Sequence, residues 1–436
     1  MTDMSFHVLA EKVLAQTEYL ATLSESSTEL TRCYLTEQHQ QANQAVHDWM
    51  QNAGMQTWTD EVGNAWGRLP AFGDEARCDS SLTPRVIIGS HIDTVRNAGK
   101  YDGMLGVLAG IAVAVKLNTR TLPFHLDVVA FGDEEGTRFG QTLIGSSAAA
   151  GEWDPNWLKL VDDREISLEK AMREFGLVPE MAKQASCAAD PVKAYLELHI
   201  EQGPVLEAKG LPVGAVTGIA GAKRYQFEVT GMAGHAGTVP MGQRQDALAG
   251  AAEMVLAIES IVNNLTQVVA TVGQFSVTPG AVNVIAGKAG FSLDIRSLDE
   301  AALAKAERAI FQQVDAIAAR RGLLACHKEI HRASSVNCSA VLTEVIASAC
   351  EKVTKQSPLS LPSGAGHDAM AMARCCPVGM VFVRCDKGIS HHPDEAVELN
   401  DVAAGIEVLF ESVCSLVGLD ESTSINTQRE ELMGEL

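Results

Sequence analysis

Short apolar runs with the character of buried strands alternate along this chain with a helical run rich in small residues. The strand-like runs are RVIIGSHID (85–93), FHLDVVAFGDEEG (124–136) and KAYLELHIEQG (193–203), and GMLGVLAGIAVAVKL (103–117) is the helical run. Because strands that alternate with helices build parallel sheets covered by helices, this pattern predicts an α/β fold with a largely parallel central sheet.

The pattern changes for about 120 residues in the middle of the chain and then returns. The middle part contains half-exposed strands such as AKRYQFEVTG (222–231) and two helical runs, RQDALAGAAEMVLAIESIV (244–262) and DEAALAKAERAIFQQVDAIAARRG (299–322). These features indicate an α+β domain. After it, the strand VGMVFV (378–383) and a helix from Leu399 restore the α/β pattern.

The chain therefore divides into a core and an insertion. With 436 residues it is too long for one ordinary hydrophobic core. We predict a core domain built from residues 1–212 and 333–436, with residues 213–332 inserted as a smaller α+β domain.

The charge and cysteine content exclude several functions. The chain has 55 acidic and 34 basic residues, a net charge of −21, and such a surface repels nucleic acid and anionic lipid. Its longest apolar stretch, at 105–117, is shorter than the roughly 20 residues of a membrane span. The N-terminus lacks the basic and apolar regions of a signal peptide. The ten cysteines include no C-x-x-C pair, which is typical of free thiols. We therefore expect a cytoplasmic protein.

Histidines and carboxylates stand at the carboxyl ends of the predicted strands, the edge at which open α/β sheets bind ligands. At the first of these ends, His91 and Asp93 alternate along an extended chain, so both side chains point to one face. A carboxylate beside a histidine fixes the tautomer of the ring and raises its basicity, as in metal sites. The alternative is a core histidine with a purely structural hydrogen bond.

Two acidic features also admit two interpretations. Asp102 precedes the glycine-rich helix, so it would be either a helix N-cap or a carboxylate that bridges two metal ions. Asp133, Glu134 and Glu135 follow a buried strand, where acids are costly unless they are paired or metal-bound. Adjacent residues of an extended chain point opposite ways, so one glutamate would bind metal while its neighbour faces substrate. The alternative is a solvated acidic turn.

Further histidines complete a set of nitrogen and oxygen ligands. His199 lies within an apolar run, and His391 and His392 follow the last strand. Three histidines and two carboxylates, one of them shared, would hold two divalent ions, and ligands without cysteine suit Zn²⁺ or Mn²⁺. Such a pair lowers the pKa of a bridging water and polarises a carbonyl group. A free carboxylate such as Glu134 would take the proton of that water and deliver it to a leaving nitrogen. The set predicts metal-assisted hydrolysis of an amide-like C–N bond.

Six motifs occur in a fixed order between Thr31 and Leu416: GSHIDTVRNAGKYDGMLGV, DEEGTRF, ELHIEQGPVLE, AGHAGTVPMGQRQDAL, SGAGHDAM and GISHHPDE. In these motifs the chain resembles the di-metal amidohydrolases of the N-carbamoyl-L-amino-acid hydrolase and allantoate amidohydrolase group. This group belongs to the aminoacylase and carboxypeptidase-like clan. The resemblance implies a zinc-peptidase-like catalytic domain, an inserted ferredoxin-like lid or dimerisation domain, and a homodimer.

The resemblance also implies the site residues. The ligands of two divalent ions per subunit, Mn²⁺ or Zn²⁺, would be His91, Asp102 as the bridge, Glu135, His199, and His391 rather than His392. Glu134 would be the general base, and Asp93 would orient His91. The substrate contacts would be Gln202, His235, Asn283, Arg296 and Gly366.

Two of these substrate contacts have an expected chemical role. His235 would come from the partner subunit and stabilise the developing oxyanion. Arg296 would clamp a substrate carboxylate in bidentate fashion. The alternatives are a turn histidine and a surface arginine.

The expected substrate is a small ureido compound that also carries a carboxylate. YDGMLGV, LPSGAGHDAM and GISHHPDE resemble bacterial allantoate amidohydrolases more closely than carbamoyl-amino-acid hydrolases. The first expectation is therefore conversion of allantoate to ureidoglycine, ammonia and carbon dioxide. The alternatives are an N-carbamoyl-L-amino-acid hydrolase and a non-catalytic metal-binding protein of the same fold. The presence of all five ligands and Glu134 argues against the last of these.

Overall fold

The computed structural model describes residues 4–71 and 83–418. The strands in these ranges are β1 (Gln56–Thr59), β2 (Ala65–Leu69), β3 (Arg85–His91), β4 (His125–Phe131), β5 (Val192–Ile200), β6 (Val213–Ile219), β7 (Gly221–Thr230), β8 (Gly234–His235), β9 (Val268–Thr271), β10 (Phe275–Thr278), β11 (Val284–Ile285), β12 (Lys288–Ser297), β13 (Leu324–Ala333), β14 (Val336–Asn337), β15 (Ser360–Ser363) and β16 (Val378–Val383).

The α-helices in these ranges are α1 (Phe6–Thr22), α2 (Glu37–Asn52), α3 (Met104–Leu117), α4 (Ile144–Ala149), α5 (Leu168–Phe175), α6 (Val205–Lys209), α7 (Ala247–Asn263), α8 (Glu300–Arg321), α9 (Ala340–Thr354), α10 (Ala369–Met372) and α11 (Leu399–Val417). These helices are too short or too polar to cross a membrane.

The chain forms two compact units. Unit 1 comprises Met1–Thr217, Cys338–Leu361 and Gly366–Leu436, and unit 2 comprises Gly218–Asn337 and Pro362–Ala365. The predicted insertion begins and ends a few residues earlier than unit 2. Its role as a lid or a dimerisation domain stays a prediction.

Unit 1 is built on a mixed sheet with the order β1-β2-β4-β3-β5-β16-β6. Its four central strands, β4, β3, β5 and β16, run parallel, whereas β2 and β6 join them in antiparallel fashion. Every residue of β3, β4 and β16 is buried, as expected for parallel strands that are covered on both faces. The predicted α/β fold is confirmed.

Helix α3 packs closely on the sheet because its glycines allow it. A Cβ atom at Gly106 would lie 2.2 Å from the backbone oxygen of Leu198 in β5. The helix buries nearly all of its residues in the main core cluster, together with residues of α1, α2 and α11. This close packing fixes the loop before α3 against the ends of β3 and β5.

Unit 2 contains a five-stranded sheet with the order β10-β12-β7-β13, in which all pairs are antiparallel, and β9 pairs with β12 beside β10. Helices α7 and α8 contribute to a separate core cluster with this sheet. The chain order of strands and helices is that of a ferredoxin-like domain. Leu303, Ile310, Val314 and Ile317 of α8 are buried and form the face of this helix that lies in the core cluster.

A buried ion cluster joins three strands of unit 1. Asp127 of β4 has a fully buried side chain and accepts hydrogen bonds from Arg68 of β2, with Nε–Oδ1 and Nη2–Oδ2 distances of 2.7 and 2.9 Å. It also accepts a bond from Nε of Arg85 in β3 at 2.7 Å. The guanidinium groups of both arginines therefore donate hydrogen bonds to the same carboxylate.

Replacement of Asp127 by alanine should destabilise the protein by about 3–5 kcal/mol, because it leaves two arginines without their buried partner. Urea denaturation of the full-length protein, followed by circular dichroism, measures this loss. The exposed i,i+4 pair of Glu169 and Arg173 provides the control. Glu169→Ala should leave the free energy of unfolding unchanged, and equal effects of the two substitutions would contradict a stabilising role for the Asp127 cluster.

Candidate metal centre

The centre lies in unit 1 at the carboxyl ends of the parallel strands. His91 is the last residue of β3, and His199 is the penultimate residue of β5. Asp102 lies in the loop before α3 and does not cap that helix, because the N-cap position belongs to Gly103. Gly103 has a φ of 73°, and a Cβ atom there would lie 2.5 Å from the ring of His91. The glycine thus lets Asp102 and His91 approach each other.

The two oxygens of Asp102 face different histidines. Oδ1 lies 3.3 Å from Nε2 of His91 and 3.1 Å from Nε2 of His199. Oδ2 lies 3.1 Å from Nε2 of His391. The geometry suits a carboxylate shared between two ions, one on each side.

The tautomers of the two buried histidines follow from their other ring nitrogens. Nδ1 of His91 lies 3.0 Å from the backbone oxygen of Asp93, and Nδ1 of His199 lies 3.0 Å from that of Ile200. A carbonyl oxygen only accepts, so each Nδ1 donates its proton there, and in the neutral ring the lone pair therefore lies on Nε2. Nε2 of His199 is buried and has no partner of hydrogen-bond geometry within the described residues, although Oδ1 of Asp102 lies 3.1 Å away. Lone pairs that converge in this way fit a bound cation.

Asp93 contacts His91 through its backbone oxygen and not, as expected, through its carboxylate. Its backbone oxygen holds His91, whereas its carboxylate lies 3.8 Å from Nδ1 of that ring. The carboxylate instead accepts the backbone N–H groups of Glu134 and Glu135, at 3.1 and 3.3 Å. Asp93 therefore contacts both the histidine and the acidic loop that follows β4.

The acidic loop turns both glutamates towards the histidines. His91, Glu134 and Glu135 form one group of side chains with converging ligand atoms, and Asp102, Glu135 and His391 form another. The expectation that the two glutamates point opposite ways assumed an extended chain. The chain leaves the extended conformation at Asp133, whose φ is 64°. The three acids are not a solvated turn, since Asp133 and Glu134 are buried.

Burial and neighbouring charges shift the pKa values of these groups. Burial, together with the charges of Asp93 and Asp102, raises the pKa of Glu134 to about 7. The hydrogen bond with Asp102 raises the pKa of His391 to about 9. Burial opposes ionisation of Asp102, but the three histidines around it hold its pKa well below the usual range. The charges of nearby carboxylates thus contribute to the raised pKa values of both Glu134 and His391.

His391 and His392 have different surroundings despite their adjacency. His391 has a φ of 54°, which brings Nε2 to within 3.6 Å of Oε1 of Glu135 as well as close to Asp102. His392 accepts the backbone N–H of Asp394 at 3.2 Å and is not part of the groups with converging ligand atoms among the described residues. The geometry favours His391 as the ligand.

The predicted substrate contacts fall into both units. In unit 1, Gln202 donates from Nε2 to Oδ2 of Asp102 at 2.8 Å. Gly366 is exposed, and a Cβ atom there would lie 3.4 Å from Oε1 of Glu134. Gln202 and Gly366 therefore adjoin the centre directly.

The other predicted contacts belong to unit 2. His235 and Asn283 are neighbours, since β8 pairs with β11 and the N–H of Ala236 donates to the oxygen of Asn283 at 3.0 Å. Arg296 is held by Asp294, with Nε–Oδ1 and Nη2–Oδ2 distances of 2.9 and 3.0 Å. Two of its donors are thus engaged by a carboxylate of the same strand.

Sequence reasoning missed two residues next to the centre. Glu395 is buried and accepts the backbone N–H groups of Tyr101 and Asp102. Glu197 is fully buried and accepts from Ser90 and Tyr195. Glu197 lies two residues before His199 on the same strand, so its side chain points to the same face, and that spacing was the available signal.

The model of peptidase family M20/M25/M40 matches residues 87–414. The chain belongs to this family. It is therefore a hydrolase, which confirms the predicted class of activity. The match includes every predicted metal ligand and Glu134.

Individual members of the family are similar over nearly the whole chain. An N-carbamoyl-L-amino acid amidohydrolase of Geobacillus stearothermophilus is 41% identical over 389 residues, which cover 89% of this chain and 93% of the relative. An allantoate deiminase of Arabidopsis thaliana is 38% identical over 440 residues, covering 93% of this chain and 82% of the relative. The predicted resemblance to this group is confirmed.

Solved structures of the family have the same fold. An amidase of the hydantoinase/carbamoylase family from Burkholderia multivorans superimposes with a TM-score of 0.86 at 31% identity. The superposition covers 94% of this chain and 98% of that protein. The predicted zinc-peptidase-like catalytic fold is confirmed by this match.

The adjacent histidines offer a matched test of the centre. His391→Ala should lose one of the two ions, because the second ligand group would keep only Asp102 and Glu135. His392→Ala should bind metal as the wild type does. Plasma mass spectrometry of protein that has been reconstituted with Mn²⁺ and desalted measures the ratio. Equal metal content in the two variants would argue against His391 as a ligand.

Proposed function

We propose that the chain is a two-metal amidohydrolase that cleaves a linear ureido C–N bond. The observation that carries the proposal is the position of Asp102, whose two oxygens face three histidine nitrogens from opposite sides. A buried carboxylate in such surroundings is better placed to bind two divalent ions than to form an ion pair with a single histidine. Mn²⁺ and Zn²⁺ both suit these ligands.

The ligands would divide into two groups around Asp102. His91 and His199 would hold one ion, and Glu135 and His391 would hold the other. When bound, the ions would supply a nucleophilic water of lowered pKa and polarise the substrate carbonyl. Both groups consist of side chains whose ligand atoms already converge.

Glu134 would move the proton. Its carboxylate is buried beside the two ligand groups, where a group that accepts the proton of the attacking water has to lie. The backbone N–H of Glu134 is fixed by Asp93, so the side chain is held at a defined place. Glu134 would accept the proton of the attacking water at Oε1 or Oε2 and donate it to the leaving nitrogen.

We propose allantoate as the substrate, with ureidoglycine, ammonia and carbon dioxide as products. The similarity to the allantoate deiminase of Arabidopsis thaliana over 93% of the chain supports it, as does the motif pattern. Gln202, Gly366, His235, Asn283 and Arg296 would be the substrate contacts. The proposal includes the cytoplasmic homodimer expected from the sequence, in which His235 would serve the partner's site.

A second candidate is the hydrolysis of N-carbamoyl-L-amino acids to the free amino acid, ammonia and carbon dioxide. The similarity to the amidohydrolase of Geobacillus stearothermophilus, at 41% identity, favours it. Both substrates present a ureido group and a carboxylate, so the metal ligands and Glu134 would serve either one.

Glu134→Gln should lower kcat by about 10²–10⁴-fold, because the amide cannot accept the proton of the water. The variant should keep its bound metal, since Glu134 is not one of the five proposed metal ligands. Ammonia release and metal content measured on the same sample test both statements. A variant with normal turnover would exclude Glu134 as the base, whereas loss of metal would move it into the ligand set.

Substrate choice is tested with a panel on the Mn²⁺-loaded and the Zn²⁺-loaded protein. The panel holds allantoate and the N-carbamoyl derivatives of small, aliphatic and aromatic L-amino acids, with Glu134→Gln as the blank. We expect metal-dependent ammonia release from allantoate alone. Activity confined to carbamoyl amino acids would establish the second candidate and retain the mechanism. If neither the Mn²⁺-loaded nor the Zn²⁺-loaded protein released ammonia from any compound of the panel, both substrate proposals would be rejected.

A further inference from the structure

A buried carboxylate lies behind the metal-bridging residue. Glu395 is 2% exposed and follows His391 by four residues. Its Oε1 accepts the backbone N–H of Tyr101 at 2.8 Å and that of Asp102 at 3.1 Å. The loop that carries His391 is thereby tied to the loop that carries Asp102.

A hydroxyl group extends this link to the side chain of Asp102. Oγ of Ser390 lies 3.0 Å from Oε2 of Glu395 and 3.0 Å from Oδ2 of Asp102. Nε2 of Gln202 donates to Oγ of Ser390 at 3.1 Å and to Oδ2 of Asp102 at 2.8 Å. Asp102 is therefore held at its backbone nitrogen and at one carboxylate oxygen by the same small network.

The loop before Asp102 is shaped to receive Glu395. A Cβ atom at Gly99 would lie 2.4 Å from Cβ, Cδ and Oε1 of Glu395. Any other residue at this position would force the two loops apart. The absence of a side chain at Gly99 thus provides the space that Glu395 occupies.

Glu395 is not one of the proposed metal ligands, and the burial of its carboxylate costs free energy. Both its oxygens are engaged by Tyr101, Asp102 and Ser390, and it is outside the groups of converging ligand atoms among the described residues. Glu395 is 2% exposed and its carboxylate shares the hydroxyl of Ser390 with the carboxylate of Asp102, so its burial has an electrostatic cost. Such a cost in stability is expected where a carboxylate is needed to hold neighbouring side chains in a fixed geometry.

We propose that Glu395 is a positioning residue that, with Ser390, sets the orientation of the bridging Asp102 and its distance from His391. The inference rests on the proposed metal centre. Nothing in the chemistry requires Glu395 to touch an ion or a substrate. Its effect is on how tightly Asp102 and His391 together hold the ion on their side.

The test is Co²⁺ binding to the metal-free full-length protein, measured by calorimetry and by visible absorption. Glu395→Ala should weaken binding of one of the two ions by about 10–100-fold, the usual effect of losing a partner that orients a ligand. It should also change the Co²⁺ absorption bands, because these report the ligand geometry. Glu395→Gln should restore both affinity and spectrum. Its amide oxygen accepts the same two N–H groups, and its amide N–H donates to Ser390.

Ser390→Ala keeps the inference testable if Glu395→Ala does not fold. It removes only the hydroxyl, so one ion should bind about tenfold more weakly. Asp162→Ala is the matched control, because Asp162 also accepts two backbone N–H groups, those of Arg164 and Ile166, and one side chain, that of Arg138. It should lower stability and leave both the Co²⁺ affinity and the spectrum unchanged.

The outcomes separate the inference from the proposed function. Wild-type affinity and spectrum in both Glu395→Ala and Ser390→Ala would overturn the positioning role. Binding in Glu395→Gln that is as weak as in Glu395→Ala would overturn it too, since the hydrogen-bond geometry would then not matter. A wild-type protein that binds no Co²⁺ would instead overturn the metal centre itself.

Discussion

The burial of several carboxylates at one edge of a sheet is the constraint on which this structure depends. Asp93, Asp102, Glu134 and Glu395 are all buried in unit 1. Like charges in a medium of low polarity repel strongly, and each carboxylate also loses its hydration. Unless each one gains partners, the centre would favour unfolding or protonation.

The fold supplies those partners from its backbone. Asp93 accepts the N–H groups that open the acidic loop, and Glu395 accepts those of Tyr101 and Asp102. Backbone donors stabilise a carboxylate without adding a competing cation. The remaining charge lies on Asp102, Glu134 and Glu135, which are left facing histidine lone pairs, and divalent ions are the partners that complete such an arrangement.

Strands and helices could be predicted from the sequence where burial produces a recognisable pattern of apolar residues, and they were missed where it does not. Strands β3, β4 and β5 and helix α3 were predicted because unbroken apolar runs encode burial on both faces. Strand β13 was missed because most of its residues are exposed and it is held mainly by backbone pairing with β7. Glu395 was missed because its role depends on a contact with residues almost 300 positions earlier. The left-handed backbone at His391 likewise has no sequence signal at a non-glycine residue.

The two sides of Asp102 are not equivalent, and this asymmetry bears on how a substrate reaches the centre. His91 and His199 are each 1% exposed, so their side is closed. The side chain of His391 is 49% exposed, and the exposed Gly366 adjoins Glu134. Structural metal sites are closed, whereas catalytic sites keep a position open for water or substrate. A substrate carbonyl would therefore approach from the side of His391 and Gly366, next to Glu134. The closed side would mainly fix the bridging carboxylate, and the network of Glu395 and Ser390 would keep it fixed while the open side exchanges its ligands.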